Sequence, residues 1–330
     1  MSRRTIYNKI VQSGSRIPDE IGASGNKLVV ILGPTASGKT DLSIKLAFKF
    51  NGEIISADSR QVYKGLNIGS GKITQRQMRG IPHHLLDVAN PKRRFTVAQF
   101  QKGALQAIEK VQARGHVPFL VGGTGLYIQS IVDGTVFPEV RPSRALRARL
   151  DKKSTAQLFL MLKKLDPVRA AGIDPKNPHR LIRAIEIVKT TGQPVPTFQH
   201  SQEYQNILQI GIKKSPEELK KAIQKRLRQR LKGMIIEVKK LHQSGLSWRR
   251  LEELGLEYRF VAQYIQKKTT LQEMMANIQK ESEHFSKRQM TWFKRDKRIR
   301  WITNQKEAEN LIKNLLTAPM QESFLNKNKK

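Results

Sequence analysis

The sequence contains no cysteine, which excludes disulfides, thiol catalysis and any cysteine-built zinc site. No apolar run approaches the ~18 residues that a membrane helix needs, so no membrane partner is expected. Acidic residues are scarce. The 27 Asp and Glu stand against 61 Lys and Arg, and the formal net charge of +34 far exceeds what solubility requires. A polyanion is the natural partner for that surplus, although composition alone does not separate a basic patch from scattered solvated lysines. What remains is a chain of 330 residues, 38% hydrophobic, enough for one large domain or two with a sizeable core. A soluble cytoplasmic protein is expected.

Residues 31–40 read ILGPTASGKT and fit G-x-x-x-x-G-K-[ST] through Gly33, Gly38, Lys39 and Thr40. The preceding KLVVILG is short, apolar and β-branched, and the following DLSIKLAFKF spaces Leu42, Ile44, Leu46 and Phe50 as a helix does. Strand, loop and helix are thus in the order a phosphate loop requires. Backbone N–H groups at such a helix start form an anion-binding nest, to which Lys39 adds a point charge and Thr40 a hydroxyl for Mg²⁺. ATP is the reflex ligand of this nucleotide-binding pattern. A hydrolytic enzyme of this architecture, however, wants an acid at the end of a later apolar strand to hold Mg²⁺, and VPFLV at 117–121 ends in glycines.

From Lys27 the pattern alternates: strand 27–32, helix 38–50, strand 53–57, helix 96–114, strand 117–121. Short buried strands between helices predict a parallel sheet covered on both faces, a P-loop-type α/β core over 27–138 and 204–310. Prolines at 138, 142, 167, 175, 178, 194 and 196 punctuate helix-like pieces and predict an inserted all-helical subdomain over 139–203. NILQIGI at 206–212 returns to the sheet, and a long basic helix starts at Pro216. Residues 1–26 read as a flexible extension and 311–330 as a basic tail.

Asp58 and Ser59 fall where the second strand ends, at the sheet edge that binds ligands in open α/β folds. A carboxylate there serves as metal ligand, general base or helix cap. In VPFLVGGTGLYI, Gly122, Gly123 and Gly125 flank Thr124 and let backbone approach a ligand closely, unless they serve only a tight turn. His83 and His84 lack companions for a metal set and suit a structural or substrate-lining role. Arg180 and Arg183, one turn apart, suit backbone phosphates or a solvated basic face. FSKRQMTWFKR at 285–295 interleaves cations with Trp292 and Phe293, as a stacking platform or an amphipathic core helix would.

Taken in order, GPTASGKT, IISADSRQVY, PHHLLDV, FLVGGTGLYI, NPHRLIRAIEI and KRQMTWFKR resemble the bacterial tRNA dimethylallyltransferase family over roughly residues 27–303. The second, fourth and fifth of these segments are specific to it. The resemblance implies transfer of a dimethylallyl group from its diphosphate to N6 of the adenosine just 3′ of the anticodon. It places the diphosphate on Gly33, Pro34, Thr35, Ala36, Ser37, Gly38, Lys39 and Thr40, with Mg²⁺ near Thr40 and no need of ATP. Asp58 becomes the base, with Thr124 beside it in the catalytic set. Contacts to the tRNA anticodon stem-loop fall to Asp58, Ser59, Arg60, Gln61, Thr124, Arg147, His179, Arg180, Leu181, Ile182 and Arg183. No obligate protein partner is implied, and a monomer is expected. One departure concerns the helix after NILQIGI. Many relatives carry Arg-Ile one turn before a second arginine, but here Ala222-Ile223 precedes Arg226, so a diphosphate-contacting arginine is missing or supplied by Lys221. The cysteine/histidine finger of eukaryotic members is also absent. A phosphate-loop small-molecule kinase and a basic non-enzymatic RNA-binding protein are the competing readings.

Overall fold

The computed structural model describes residues 27–135, 137–138, 140–196 and 206–318; the expected extension over 1–26 lies outside them. The elements run β1 (Lys27–Leu32), α1 (Lys39–Lys49), β2 (Gly52–Ala57), α2 (Gln75–Met78), β3 (His83–His84), α3 (Val97–Ala113), β4 (Val117–Gly122) and α4 (Gly125–Val132). There follow α5 (Arg144–Leu150), α6 (Thr155–Leu165), α7 (Pro167–Ala171), α8 (Pro178–Thr191), β5 (Asn206–Ile212), α9 (Pro216–Gln243), α10 (Trp248–Glu253), α11 (Leu256–Ile265), α12 (Leu271–Phe293), β6 (Arg300–Ile302) and α13 (Gln305–Thr317). The chain divides into two compact units, the second falling within Asp133–Ser201.

The first unit is built on a 6-stranded parallel sheet of order β3-β2-β4-β1-β5-β6. Alternation along β1 shows why the strand is apolar throughout: Leu28, Val30 and Leu32 enter one core with Phe100 and Leu120, while Val29 and Ile31 enter another with Leu46 and Phe119. Even Lys27 is only 6% exposed, its ammonium donating to the carbonyls of Leu316 and Ala318 and so closing the C-terminus of α13. Ile312 and Leu316 pack in the second core, which corrects the expected tail: the chain up to 317 belongs to the folded unit. Reciprocal capping boxes start α3 at Thr96, α9 at Ser215 and α12 at Thr270.

A buried carboxylate also sits in the sheet. Glu53, the second residue of β2, accepts from the Arg114 guanidinium at 2.9 and 2.8 Å, with His84 and His116 each at 2.7 Å. Burial would raise its carboxyl, but these three partners outweigh it and hold the group at about 2 against an ordinary 4.5. The stability this contributes is therefore fully present above about pH 4.5 and fades as pH falls toward 2. Glu53→Gln should cost about 2 kcal/mol in denaturant melts at pH 7, with the difference from wild type shrinking over that acid window. Equal stability of both proteins at pH 7 would show the cluster to be neutral.

The second unit packs Leu158 and Leu162 of α6 against Leu181 and Ile185 of α8. Pro167 and Pro178 occupy first turns, where their missing N–H is not needed.

Candidate functional site

Because β4 pairs with both β1 and β2, the carboxyl ends of these strands emerge side by side. Ligands bind at that edge of open parallel sheets. The phosphate loop follows β1, and Gly38, at φ 91°, sits in the left-handed region as the N-cap of α1, where glycine alone is unstrained. The Lys39 ammonium donates to the carbonyls of Gly33 at 2.9 Å and Pro34 at 2.6 Å. Burial pushes it down to about 7, against the pull of Asp58 and with a further push from Arg226.

A cavity of about 680 Å³ opens over this edge, lined by residues 35–40 together with Asp58, Ser59, Arg60, Gln61 and Thr124. Gly33 and Pro34 are not on its wall. Their carbonyls lie behind it and hold Lys39. Asp58 Oδ1 accepts from the N–H groups of Arg60 at 2.8 Å and Gln61 at 3.3 Å, so the carboxylate does cap the turn it starts. Capping occupies one oxygen of two, and the residue also lines the cavity. The Ser59 N–H donates to the Thr124 hydroxyl at 3.0 Å, which ties the second-strand loop to the glycine turn.

The glycines of that turn make room for other parts of the chain, and Gly122 and Gly123 also line the cavity. A methyl group on Gly122 would strike the Ala57 carbonyl, one on Gly123 the Gln289 amide, and one on Gly125 the Trp292 ring. Gln289, buried on α12, accepts from the Thr35 N–H at 2.8 Å and donates to the Gly123 carbonyl at 2.7 Å. One side chain thus fixes the phosphate loop to the glycine turn. The FSKRQMTWFKR segment is accordingly helical, with Phe293 in the core, while Phe285, Arg288 and Gln289 face the cavity. His83 also lines the cavity, and His84 serves Glu53. Among the described residues no cluster of three His, Cys, Asp or Glu could hold a metal ion. Thr40 is exposed at the cavity wall and offers a single hard oxygen donor, a fit for Mg²⁺ only when phosphate oxygens and water complete the set.

The candidate residues of the second unit divide three ways. His179 and Arg180 are exposed on the first turn of α8. Leu181 and Ile182 are 0% and 6% exposed and pack their side chains in that unit's core. Arg147 and Arg183 converge on Glu186, itself 0% exposed. Arg147 donates Nε at 2.9 Å and Nη2 at 2.6 Å, Arg183 Nη1 at 2.7 Å, and the Ser143 N–H at 2.8 Å. Burial would raise the Glu186 carboxyl, but the two guanidiniums hold it low. Both arginines were expected to meet phosphates. In the structure each spends its guanidinium on an internal carboxylate.

Sequence reasoning missed Arg230, Glu257 and Gln289, all on the cavity wall. Arg226 and Arg230 share a face of α9 with Ala222, while Lys221 is exposed and off the wall, so it does not stand in for the missing arginine. The signal available was the stripe 222, 226, 230, four residues apart.

The profile described as IPP transferase matches residues 61–296. A tRNA dimethylallyltransferase of Carboxydothermus hydrogenoformans is 38% identical over 309 residues, 91% of this chain and 99% of its own length. One from Anoxybacillus flavithermus is 41% identical over 283 residues, 84% of this chain and 90% of its own. Among solved structures, the full-length tRNA isopentenylpyrophosphate transferase of Bacillus halodurans superposes with a TM-score of 0.66 at 36% identity, over 88% of this chain and 97% of that one. A eukaryotic dimethylallyltransferase acting on tRNA gives 0.70 at 25% identity, over 87% and 77%. The profile covers more than half of the chain and the relatives most of it, and the chain belongs to the IPP transferase family.

Proposed function

We propose that the chain transfers a dimethylallyl group from dimethylallyl diphosphate to N6 of the adenosine 3′ of the anticodon in a subset of tRNAs, releasing diphosphate. The observation that carries the reading is the meeting of the phosphate loop, Asp58 and Thr124 in one cavity beside a β4 that ends in glycine. An exocyclic adenine amine is a poor nucleophile because its lone pair is delocalised into the ring, so it needs a base and a good leaving group. The N6–C1 bond forms as the C1–O bond to diphosphate breaks. The C–O electron pair leaves on the diphosphate oxygen, and the N6 proton passes to the Asp58 carboxylate. Thr124 keeps Asp58's neighbour Ser59 in place through its hydroxyl. Thr35 and Ser37 spend their backbone N–H groups on Gln289 and the Pro34 carbonyl, so the remaining loop amides and Lys39 would meet the negative charge that accumulates on the leaving group. Mg²⁺ at Thr40, when bound, would neutralise part of that charge.

The target base stacks in the anticodon loop and must be extruded into the cavity, at a cost of a few kcal/mol. The +34 charge favours the polyanion and helps offset this. We assign tRNA contacts to Ser59, Arg60 and Gln61 on the cavity and to His179 and Arg180 on α8. No described helix is long and apolar enough to cross a membrane. A cytoplasmic monomer suits this substrate.

Activity should not depend on ATP. With nucleotide-free reagents, labelled dimethylallyl diphosphate should label tRNA, and labelled γ-phosphate should label nothing. Turnover that required ATP would favour the small-molecule kinase.

A further inference from the structure

Residues 67–70 turn four successive backbone N–H groups toward α9 and α11. Asn67 and Ile68 donate to Glu237 Oε2 at 2.9 and 2.7 Å, Gly69 to Oε1 at 3.1 Å, and Ser70 to the Tyr258 hydroxyl at 3.1 Å. That hydroxyl in turn donates to Glu237 Oε1 at 2.7 Å. Consecutive amides of this kind form a nest for an anion, and here the protein's own carboxylate fills it. The loop is seated closely as well, since a methyl group on Gly69 would strike the Tyr258 ring and one on Gly233 the Ile68 side chain. Glu237 is 9% exposed and Tyr258 1%, and neither lines the cavity.

What they anchor does reach it. Ser70 and Gly71 are on the cavity wall, and the Gly71 carbonyl accepts from the Gln61 amide at 3.4 Å, while the oxygen of that amide accepts from the Ser56 hydroxyl at 3.4 Å. Gln61 is thus aimed by a backbone position that the loop sets. Beyond Gly71 the chain is fastened separately by Lys72, whose ammonium donates to the Tyr63 carbonyl at 2.7 Å and to Asp87 at 2.5 Å. All four groups facing Glu237 donate, so a neutral amide of the same shape would have to turn its own N–H groups against some of them. A buried donor left without an acceptor is costly enough to displace a loop.

We propose that Glu237, together with Tyr258, is a positioning residue for tRNA: by holding 67–70 it sets Gly71 and, through Gly71, the Gln61 amide. The inference rests on the assignment of Gln61 to tRNA in the transferase reading.

The test is a double-mutant cycle between Glu237→Gln and Gln61→Ala, read as tRNA affinity by direct binding and as KM and kcat for transfer. Glu237→Gln should weaken tRNA binding and raise the KM for tRNA about tenfold, with kcat and the KM for dimethylallyl diphosphate little changed. In Gln61→Ala, where no amide is left to aim, it should add almost nothing, because residues that act through one another are not additive. Tyr258→Phe removes the hydroxyl and leaves the ring; it should show the same pattern more weakly, and it carries the cycle if Glu237→Gln does not fold. An equal loss of tRNA affinity with and without Gln61 would overturn the proposal, since Glu237 would then support the fold alone. So would unchanged tRNA affinity in both folded Glu237→Gln and Tyr258→Phe. A wild type that binds tRNA but transfers no dimethylallyl group would instead sink the transferase reading, and the affinity cycle would still decide the role of Glu237.

Discussion

Asp58→Ala is expected to slow the chemical step by roughly 10²- to 10⁴-fold while leaving tRNA affinity nearly intact. Alanine removes two things at once, however. Asp58 Oδ1 accepts from the Arg60 and Gln61 N–H groups, so the substitution also loosens a turn whose residues line the cavity. Asp58→Asn keeps an oxygen for those donors and the same shape, but it has no basicity to take the N6 proton. If the carboxylate is the base, asparagine should be nearly as slow as alanine in single turnover. If the residue only caps, asparagine should recover most of the rate, and the base assignment would fail. Tighter control comes from tRNA affinity measured on both variants: weakened binding with an unchanged single-turnover rate would make Asp58 a positioning residue.

Local signals in the sequence reached the sheet and its loops. NILQIGI reads as strand 206–212 because β-branched residues lie between turn signals, and β5 occupies that span. The phosphate loop, Asp58 and Thr124 each sit at a strand end, and parallel topology alone brings strand ends to one edge. What stayed hidden depends on long-range contact. Gln289 meets Thr35 across 254 positions, and nothing in FSKRQMTWFKR marks one glutamine for burial. Glycines at 122, 123 and 125 were legible as close approach but not as approach by protein, since Ala57, Gln289 and Trp292 come from elsewhere in the chain. The tail was misplaced because QKEAENLIKNLL is mostly polar, and only Ala308, Ile312 and Leu316 form its buried stripe. In NPHRLIRAIEI the two arginines were visible as a basic face. A fully buried glutamate at 186 is too rare for composition to predict.

That glutamate sets the second of the large effects. Glu186→Ala should destabilise the second unit by about 3 kcal/mol, because it removes the only carboxylate that the Arg147 and Arg183 guanidiniums share among the described residues. Arg147→Ala and Arg183→Ala should each destabilise it too, though less, since the other arginine and the Ser143 N–H still hold Glu186. Hydrogen exchange over α6 and α8 reads this directly. Arg180→Ala, at an exposed position, should leave exchange unchanged but weaken binding to all tRNAs alike. It should also flatten the plot of log affinity against log salt by about 0.7 to 0.9, as one released counterion fewer requires. Loss of tRNA binding at Arg147 and Arg183 would then follow from a loosened unit, and stabilising that unit by other means should restore it. The opposite pattern, with exchange unaltered in Arg147→Ala and Arg183→Ala but the salt slope flattened in both, would show that these guanidiniums leave Glu186 for phosphate when tRNA binds.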